Sequence, residues 1–176
     1  MSEFPCIILL DNGSIRASST LNLRDLAERL SARSGRGVHA VSHLHSDKIP
    51  KSDLNGVPAE TLEPFLHATI NGGTSSFLIL PVFFGQSAAV YEFIPQRLRE
   101  IQNHWPKLEV RIAPCLVNVD DEADDAISKI LSNIVRRTIS SENLQSPSIV
   151  VVDHGTPRAV VNKARNLVCN QMRDEL

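Results

Sequence analysis

One histidine of this chain occupies a position from which it could do chemistry. Residues 149–152 form a short apolar run, which predicts a strand buried on both faces, and the turn Asp-His-Gly-Thr that follows contains His154. An imidazole has a pKa near neutrality, so it can bind a divalent metal ion or accept a proton. A single histidine after a strand is more often a solvated or hydrogen-bonded turn residue. The elements around His154 must therefore decide its role.

Two further groups contain residue types that bind metals. His43 and His45 are two residues apart, with His39 nearby, and they would share one face of an extended segment. The simpler interpretation is that they are loop histidines. The acidic run at residues 120–125 matches the positive end of a helix dipole, and it lacks the glycine and spacing of a calcium-binding loop. We favour a structural role for that run.

The motif around His154 has a counterpart near the start of the chain. Residues 7–17 align without gaps onto residues 149–159, and both segments carry an apolar run, then an Asp, a Gly and an Arg. The counterpart of His154 is Asn12. Self-similarity over this length suggests a duplicated unit.

The duplication predicts a domain organisation in three segments. A first complete repeat would occupy residues 1–140, a linker would occupy residues 141–148, and the opening β-α unit of a second repeat would occupy residues 149–176. On this interpretation the natural protein continues beyond Leu176. Apolar residues on the final helix favour a homodimer.

Strands and helices alternate between the two motifs. The alternation predicts an α/β fold with a mostly parallel sheet of four strands, a fifth strand at residues 149–152, and helices on both faces. Ligands of such sheets bind beyond the carboxyl ends of the strands. Three loops with glycine are predicted there, at residues 11–16, 85–89 and 153–158, and each could present backbone N–H groups and a side chain.

The composition excludes several classes of function. A net charge of −2, a pI near 6.3, one Trp and one Tyr provide no basic stripe and few stacking groups, so nucleic acid is not an expected partner. The sequence contains neither a membrane-spanning apolar run nor an N-terminal secretory pattern, which predicts a cytoplasmic protein without a membrane partner. The three cysteines form no Cys-x-x-Cys pair and are expected to be buried thiols.

Taken together, the motifs resemble those of the CbiX-type sirohydrochlorin chelatases, the class II chelatases. In that family an apolar strand ends in Gly-His-Gly-Ser or Asp-His-Gly-Ser followed by Arg, and a later strand reads Pro-Leu-Phe-Leu before a glycine, a histidine and Ile-Pro. The matching segments are residues 9–16, 151–158 and 80–95, and the resemblance spans nearly the whole chain.

The resemblance implies both a fold and a reaction. The fold is a three-layer chelatase-like α/β fold. The reaction, that of a lyase, inserts a divalent metal, cobalt or iron, into a tetrapyrrole such as sirohydrochlorin in cobalamin or siroheme biosynthesis. The metal would be a substrate, and no permanently bound cofactor is expected.

The resemblance also implies particular metal-handling residues. His154 keeps the catalytic histidine of the family and would bind the metal. The other histidine positions of the family fall on Asn12 and Ala89, which cannot do this chemistry. Glu92 lies near an acidic position of the family, where it would either assist metal approach or cap the following helix.

A tetrapyrrole with many carboxylates requires cationic and polar groups. Arg16 and Arg158, at equivalent repeat positions, would bind carboxylates through their fork-shaped donors, together with Ser14 and Thr156. Both arginines are almost equally well explained as ordinary surface residues.

Two other functions fit parts of the sequence. A first half without histidines at positions 12 and 89 could bind a tetrapyrrole or a metal without turnover, or serve a purely structural role. The residues around His154 also faintly resemble the Arg-His-Gly motif of histidine phosphatases. The phosphate-binding Arg of that motif is replaced by Asp153, which would repel a phosphate dianion.

Overall fold

The computed structural model describes residues 4–153 and 159–176. It forms two compact units. The first comprises Met1–Phe83 and Ala88–Pro114, and the second comprises Phe84–Ser87 and Cys115–Leu176. The division into repeats at residue 140 stays a prediction.

The first unit contains a parallel sheet of four strands in the order β2-β1-β3-β4. The strands are β1 (Cys6–Asp11), β2 (Val38–Ser42), β3 (Ser76–Pro81) and β4 (Glu109–Ile112). The connecting helices are α1 (Ala17–Ser34), α2 (Leu62–Asn71) and α3 (Ile94–His104). Shorter helical turns cover Ser46–Lys48, Lys51–Leu54 and the π-helical Ala89–Phe93.

Alternate residues of the central strand face opposite layers. Ile8 and Leu10 point into a core formed with α2 and α3, whereas Leu9 packs against Leu23 and Ala27 of α1. Complete burial of one such aliphatic side chain contributes roughly 1.5–3 kcal/mol. Helices therefore cover both faces of the sheet, and the predicted three-layer α/β fold is confirmed.

The second unit is built around two helices, α4 (Ala126–Ser141) and α5 (Ala159–Glu175). Their shared core has four buried members, Val117, Ala164, Val168 and Met172. The acidic run at residues 120–125 precedes α4 instead of forming its first turn, and Asp125 is the N-cap residue. These carboxylates still lie at the end of the helix that favours negative charge.

The predicted fifth strand is not formed. Residues 149–152 are described, and none of them pairs with a strand. Val150 and Val152 are 77% and 81% exposed, and Val151 packs against the core of α4 and α5. The described part of the second unit contains no other strand, so the backbone groups of this run have no ladder to join.

Among the described helices, none combines the length and apolar character that crossing a membrane requires.

Candidate functional site

The strand order places a candidate site beside β1. The chain leaves β1 through α1 on one face to reach β2, then crosses back through α2 on the other face to reach β3 on the opposite side of β1. Ligands of open parallel sheets bind at such a reversal, beyond the carboxyl ends of the strands. The loop from Asp11 to Arg16 therefore begins at the expected position.

Two backbone segments meet at this edge of the sheet. The His43 N–H donates to the Asp11 carbonyl oxygen at 2.8 Å, and the Leu44 N–H donates to the Asn12 carbonyl oxygen at 3.3 Å. Gly13 has a φ of +83°, and a Cβ at this position would lie 1.7 Å from the Leu44 carbonyl oxygen. The segment after β2 thus holds the loop after β1 by direct backbone contact.

Two buried serines join the same segments. Ser42 and Ser46 are 2% and 1% exposed, and their hydroxyl oxygens are 2.9 Å apart. The Ser14 N–H donates to Ser46 Oγ at 3.2 Å, and the Ser14 carbonyl oxygen lies 3.2 Å from the same hydroxyl. Ser46 therefore links the loop after β1 to the end of β2 through one buried hydroxyl.

The electrostatic environment of Asp11 follows from these contacts. Burial is the largest effect and raises the pKa of the Asp11 carboxyl above its ordinary value. Hydrogen bonds from Ser42 and from the Gly13 N–H, the latter at 3.0 Å, oppose that rise in the pKa. Asp11 fixes the turn and does not project freely from it.

The loop uses its own backbone donors. The Gly13, Ser14 and Arg16 N–H groups donate to Asp11 Oδ1, Ser46 Oγ and Ser14 Oγ, respectively. The expectation that this loop offers backbone N–H groups to an anion is therefore wrong for these three amides.

Arg16 and Ser14 lie together in this loop. Arg16 is exposed and immediately precedes α1, whose first turn contains no acidic residue. The Ser14 hydroxyl accepts the Arg16 N–H at 3.1 Å, so its role in the structure is to shape the start of the helix. Arg16 is the N-cap residue of α1, at the positive end of the helix dipole.

Glu92 occupies a different element of the same edge of the sheet. It lies within the π-helical turn Ala89–Phe93, which follows β3 and leads directly into α3. Val90 and Ile94 are buried and anchor the turn, while Glu92 is exposed. The residue that precedes α3 is Phe93, so Glu92 is not the N-cap. Single π-helical turns occur frequently at functional sites.

His154, Thr156 and Arg158 lie outside the described residues. Asn12 is exposed directly after β1, and Ala89 is half-buried as the first residue of the π-helical turn. Within residues 4–153 and 159–176, no three His, Cys, Asp or Glu side chains converge to hold a metal ion.

The serines of β2 and of the turn after it were not predicted as site residues. Serine is mostly exposed in proteins, so its residue type does not predict burial. The available signal was the alternation Ser-His-Leu-His-Ser at residues 42–46, directly after an apolar strand. That pattern predicts a structured continuation of the strand, whereas His43 and His45 were interpreted as loop histidines.

The sheet order, the layers and the loops at the reversal point define a chelatase-like α/β fold. Solved structures with this fold include the following two. One, from Marinobacter aquaeolei VT8, is described as a cobalamin (vitamin B12) biosynthesis CbiX protein; identity is 16% and the TM-score is 0.52, over 80% of this chain and 98% of that one. The other is SirB from Bacillus subtilis with Fe3+; identity is 12% and the TM-score is 0.70, over 98% of this chain and 61% of SirB.

Sequence comparison adds no relative to these structures. No protein-family model matches the chain, and no curated protein matches it. At identities of 16% and 12% the structural similarity establishes the fold alone.

Proposed function

We propose that this chain acts as a CbiX-like sirohydrochlorin chelatase, which inserts cobalt or iron as a divalent ion into a tetrapyrrole. The observation that carries the proposal is the loop from Asp11 to Arg16, held at the reversal point of a chelatase-like sheet by backbone bonds of 2.8 and 3.3 Å. A preorganised loop at this position suits the binding of a rigid, planar substrate.

Arg16 is the described residue best suited to anchor such a substrate. A sirohydrochlorin-like ring carries several carboxylates, and a guanidinium binds a carboxylate through two parallel hydrogen bonds. Arg16 is exposed, and the first turn of α1 adds no competing negative charge. Arg158 and Thr156 would serve the second motif in the same way, and Ser14 would act by shaping the loop.

The reaction requires proton acceptance as well as metal delivery. Each divalent ion that enters the macrocycle replaces two pyrrole N–H protons, which must leave to a base or to water. The neutral imidazole of His154 can accept a proton or hold the metal, and the Glu92 carboxylate can attract the incoming cation. Neither Asn12 nor Ala89 can take a proton at the positions where the family has histidine.

Those two positions favour a second candidate function. A unit with an amide and a methyl group in place of two imidazoles would bind the tetrapyrrole or the metal without inserting it. The two candidates differ in turnover and not in binding, so one assay separates them.

The assay follows the absorption of sirohydrochlorin mixed with Co²⁺ or Fe²⁺, with and without the protein. Insertion faster than the protein-free rate, and abolished by His154→Ala, would support the chelatase. Arg16→Gln should raise KM with little change in kcat, because the arginine binds substrate in its ground state. Arg33→Gln, at the other end of α1, is the matched control and should leave KM unchanged. If the protein binds the pigment but insertion is no faster than without the protein, the second candidate is established.

A further inference from the structure

A pocket lies at the amino edge of the sheet, where the chain enters β3 and β4. These two strands are parallel, so the segments that lead into them meet at this edge and form the pocket walls. The pocket has a volume of about 380 Å³, which lies within the range of small-molecule sites in proteins. All the residues that line it belong to the first unit. The loop from Asp11 to Arg16 begins at the opposite, carboxyl end of β1.

Trp105 forms an aromatic wall of this pocket. The indole is half-buried and packs against the core of the first unit. The His67 ring meets it edge-on, with ring centroids 5.0 Å apart and an interplanar angle of 87°. Two rings favour this arrangement, so the contact holds the indole in place. Ile70 and the buried Leu108 extend the apolar lining, and together they present a fixed apolar surface to a ligand.

A tight turn places Lys107 two residues after Trp105. The Leu108 N–H donates to the Trp105 carbonyl oxygen at 2.9 Å, which closes a four-residue β-turn with Pro106 at its second position. Proline suits that position because its ring fixes φ in advance. Gln102 Nε2, from α3, donates to the Leu108 carbonyl oxygen at 3.1 Å and holds the end of the turn. The backbone that carries Lys107 is therefore preorganised.

The polar residues of the pocket favour an anionic ligand. Lys107 is exposed, and the described residues provide no salt-bridge partner for its ammonium group. Thr74 and Ser75, which precede β3, also line the pocket and carry hydroxyl groups. The described lining contains no Asp or Glu. A carboxylate can accept hydrogen bonds from an ammonium and from hydroxyls, whereas a cationic ligand would be repelled by Lys107.

We propose that this pocket binds a small aromatic carboxylate, with the ligand ring against the Trp105 indole and the carboxylate at the Lys107 ammonium. Aromatic pairs are stabilised beyond the area that they bury, which favours a ligand with a ring over an aliphatic one. Binding here does not depend on the proposed function. The length of the six-residue β1, roughly 17 Å, separates the amino edge from the carboxyl edge where the tetrapyrrole would bind.

The probe is 3-phenylpropionate, which carries one ring and one carboxylate on a short chain. Trp105 is the single tryptophan of the protein, so its selectively excited fluorescence reports on this pocket. Titration into the full chain should change that fluorescence with a Kd on the order of 1 mM, as expected for a ligand of this size. The neutral 3-phenylpropanamide should bind about fivefold more weakly, because it lacks the charge that pairs with the exposed Lys107.

Charge reversal at Lys107 provides an independent measurement. Because the side chain is exposed, its substitution should leave the fold intact. Lys107→Gln should weaken binding of 3-phenylpropionate about fivefold. Lys107→Glu should reverse the preference, so that 3-phenylpropylamine binds more tightly than the acid. Lys51→Gln removes an exposed ammonium elsewhere on the surface and is the matched control, which should bind as the wild type does.

Trp105→Leu tests the aromatic wall, with binding followed by the NMR signals of the ligand because the fluorophore is lost. Its affinity for 3-phenylpropionate should fall about tenfold. Equal affinities for the acid and the amide would overturn the proposal, as would wild-type affinity in Lys107→Gln or in Trp105→Leu. Binding seen by NMR without a change in Trp105 fluorescence would place the ligand elsewhere. Absence of binding well above the expected Kd would also refute the site.

Discussion

Gly13 and Leu44 are in backbone contact, so close that a Cβ on Gly13 would lie 1.7 Å from the Leu44 carbonyl oxygen. Because the atom in the way is backbone, no side-chain rotation can relieve the overlap. The contact couples the loop after β1 to the segment after β2, and it makes residue 13 a point at which the candidate site can be disrupted selectively.

Gly13→Ala should be much more damaging than a matched glycine substitution. Gly56 has a similar φ of +81°, but nothing lies within 4 Å of a Cβ added there. Positive φ alone should cost Gly56→Ala about 1–2 kcal/mol of unfolding free energy. Gly13→Ala carries the same cost and must also separate the two segments, so we expect a loss at least about 2 kcal/mol larger. Urea denaturation measures both, and equal losses would contradict the contact.

Ser46→Ala should destabilise the first unit. Removing the hydroxyl leaves the Ser14 N–H without its acceptor and removes the partner of Ser42 Oγ. An unsatisfied buried group costs about 1–3 kcal/mol. Ser52→Ala removes only an exposed hydrogen bond to Asp53 and should change the unfolding free energy by less than about 0.5 kcal/mol. A Ser46→Ala protein as stable as the Ser52→Ala protein would show that the hydroxyl network contributes nothing.

Much of the fold, but not this network, could be predicted from the sequence. The spacing of Leu23 and Ala27 predicts the inner face of α1. Pro81 cannot donate to a ladder, which predicts its place near the carboxyl end of β3, where it lies. Such local rules do not report which polar groups become buried, since Ser42 and Ser46 find partners only after β1 and β2 pair. They also overpredict strands, because residues 149–152 have strand composition but no neighbouring strand.

Asp11 should make stability depend on pH. Its folded-state pKa is raised, so the fold favours the protonated acid; this contribution is present below the unfolded pKa and is lost as pH rises through the folded pKa. Asp11→Asn cannot ionise but keeps an oxygen that can accept the Gly13 N–H. The unfolding free energy of Asp11→Asn relative to wild type should therefore increase between about pH 3 and about pH 7.

Ser42→Ala provides the complementary measurement for Asp11. The Ser42 hydrogen bond lowers the Asp11 pKa, so Ser42→Ala should raise that folded-state pKa further. The loss of unfolding free energy with rising pH should then extend to higher pH. Urea denaturation across the pH series gives both results. A difference between Asp11→Asn and wild type that is constant with pH would mean that Asp11 has the same pKa in the folded and unfolded chains.

His45→Gly should stabilise the protein. Glycine adopts positive φ without the penalty that His45 bears, so we expect the unfolding free energy to rise by about 1 kcal/mol. Asn55→Gly, at φ 56°, is the matched control and should gain less, because asparagine tolerates this region better than histidine does. Thermal unfolding gives the stability of each variant. A gain for His45→Gly no larger than that for Asn55→Gly would mean that histidine bears no extra penalty at positive φ.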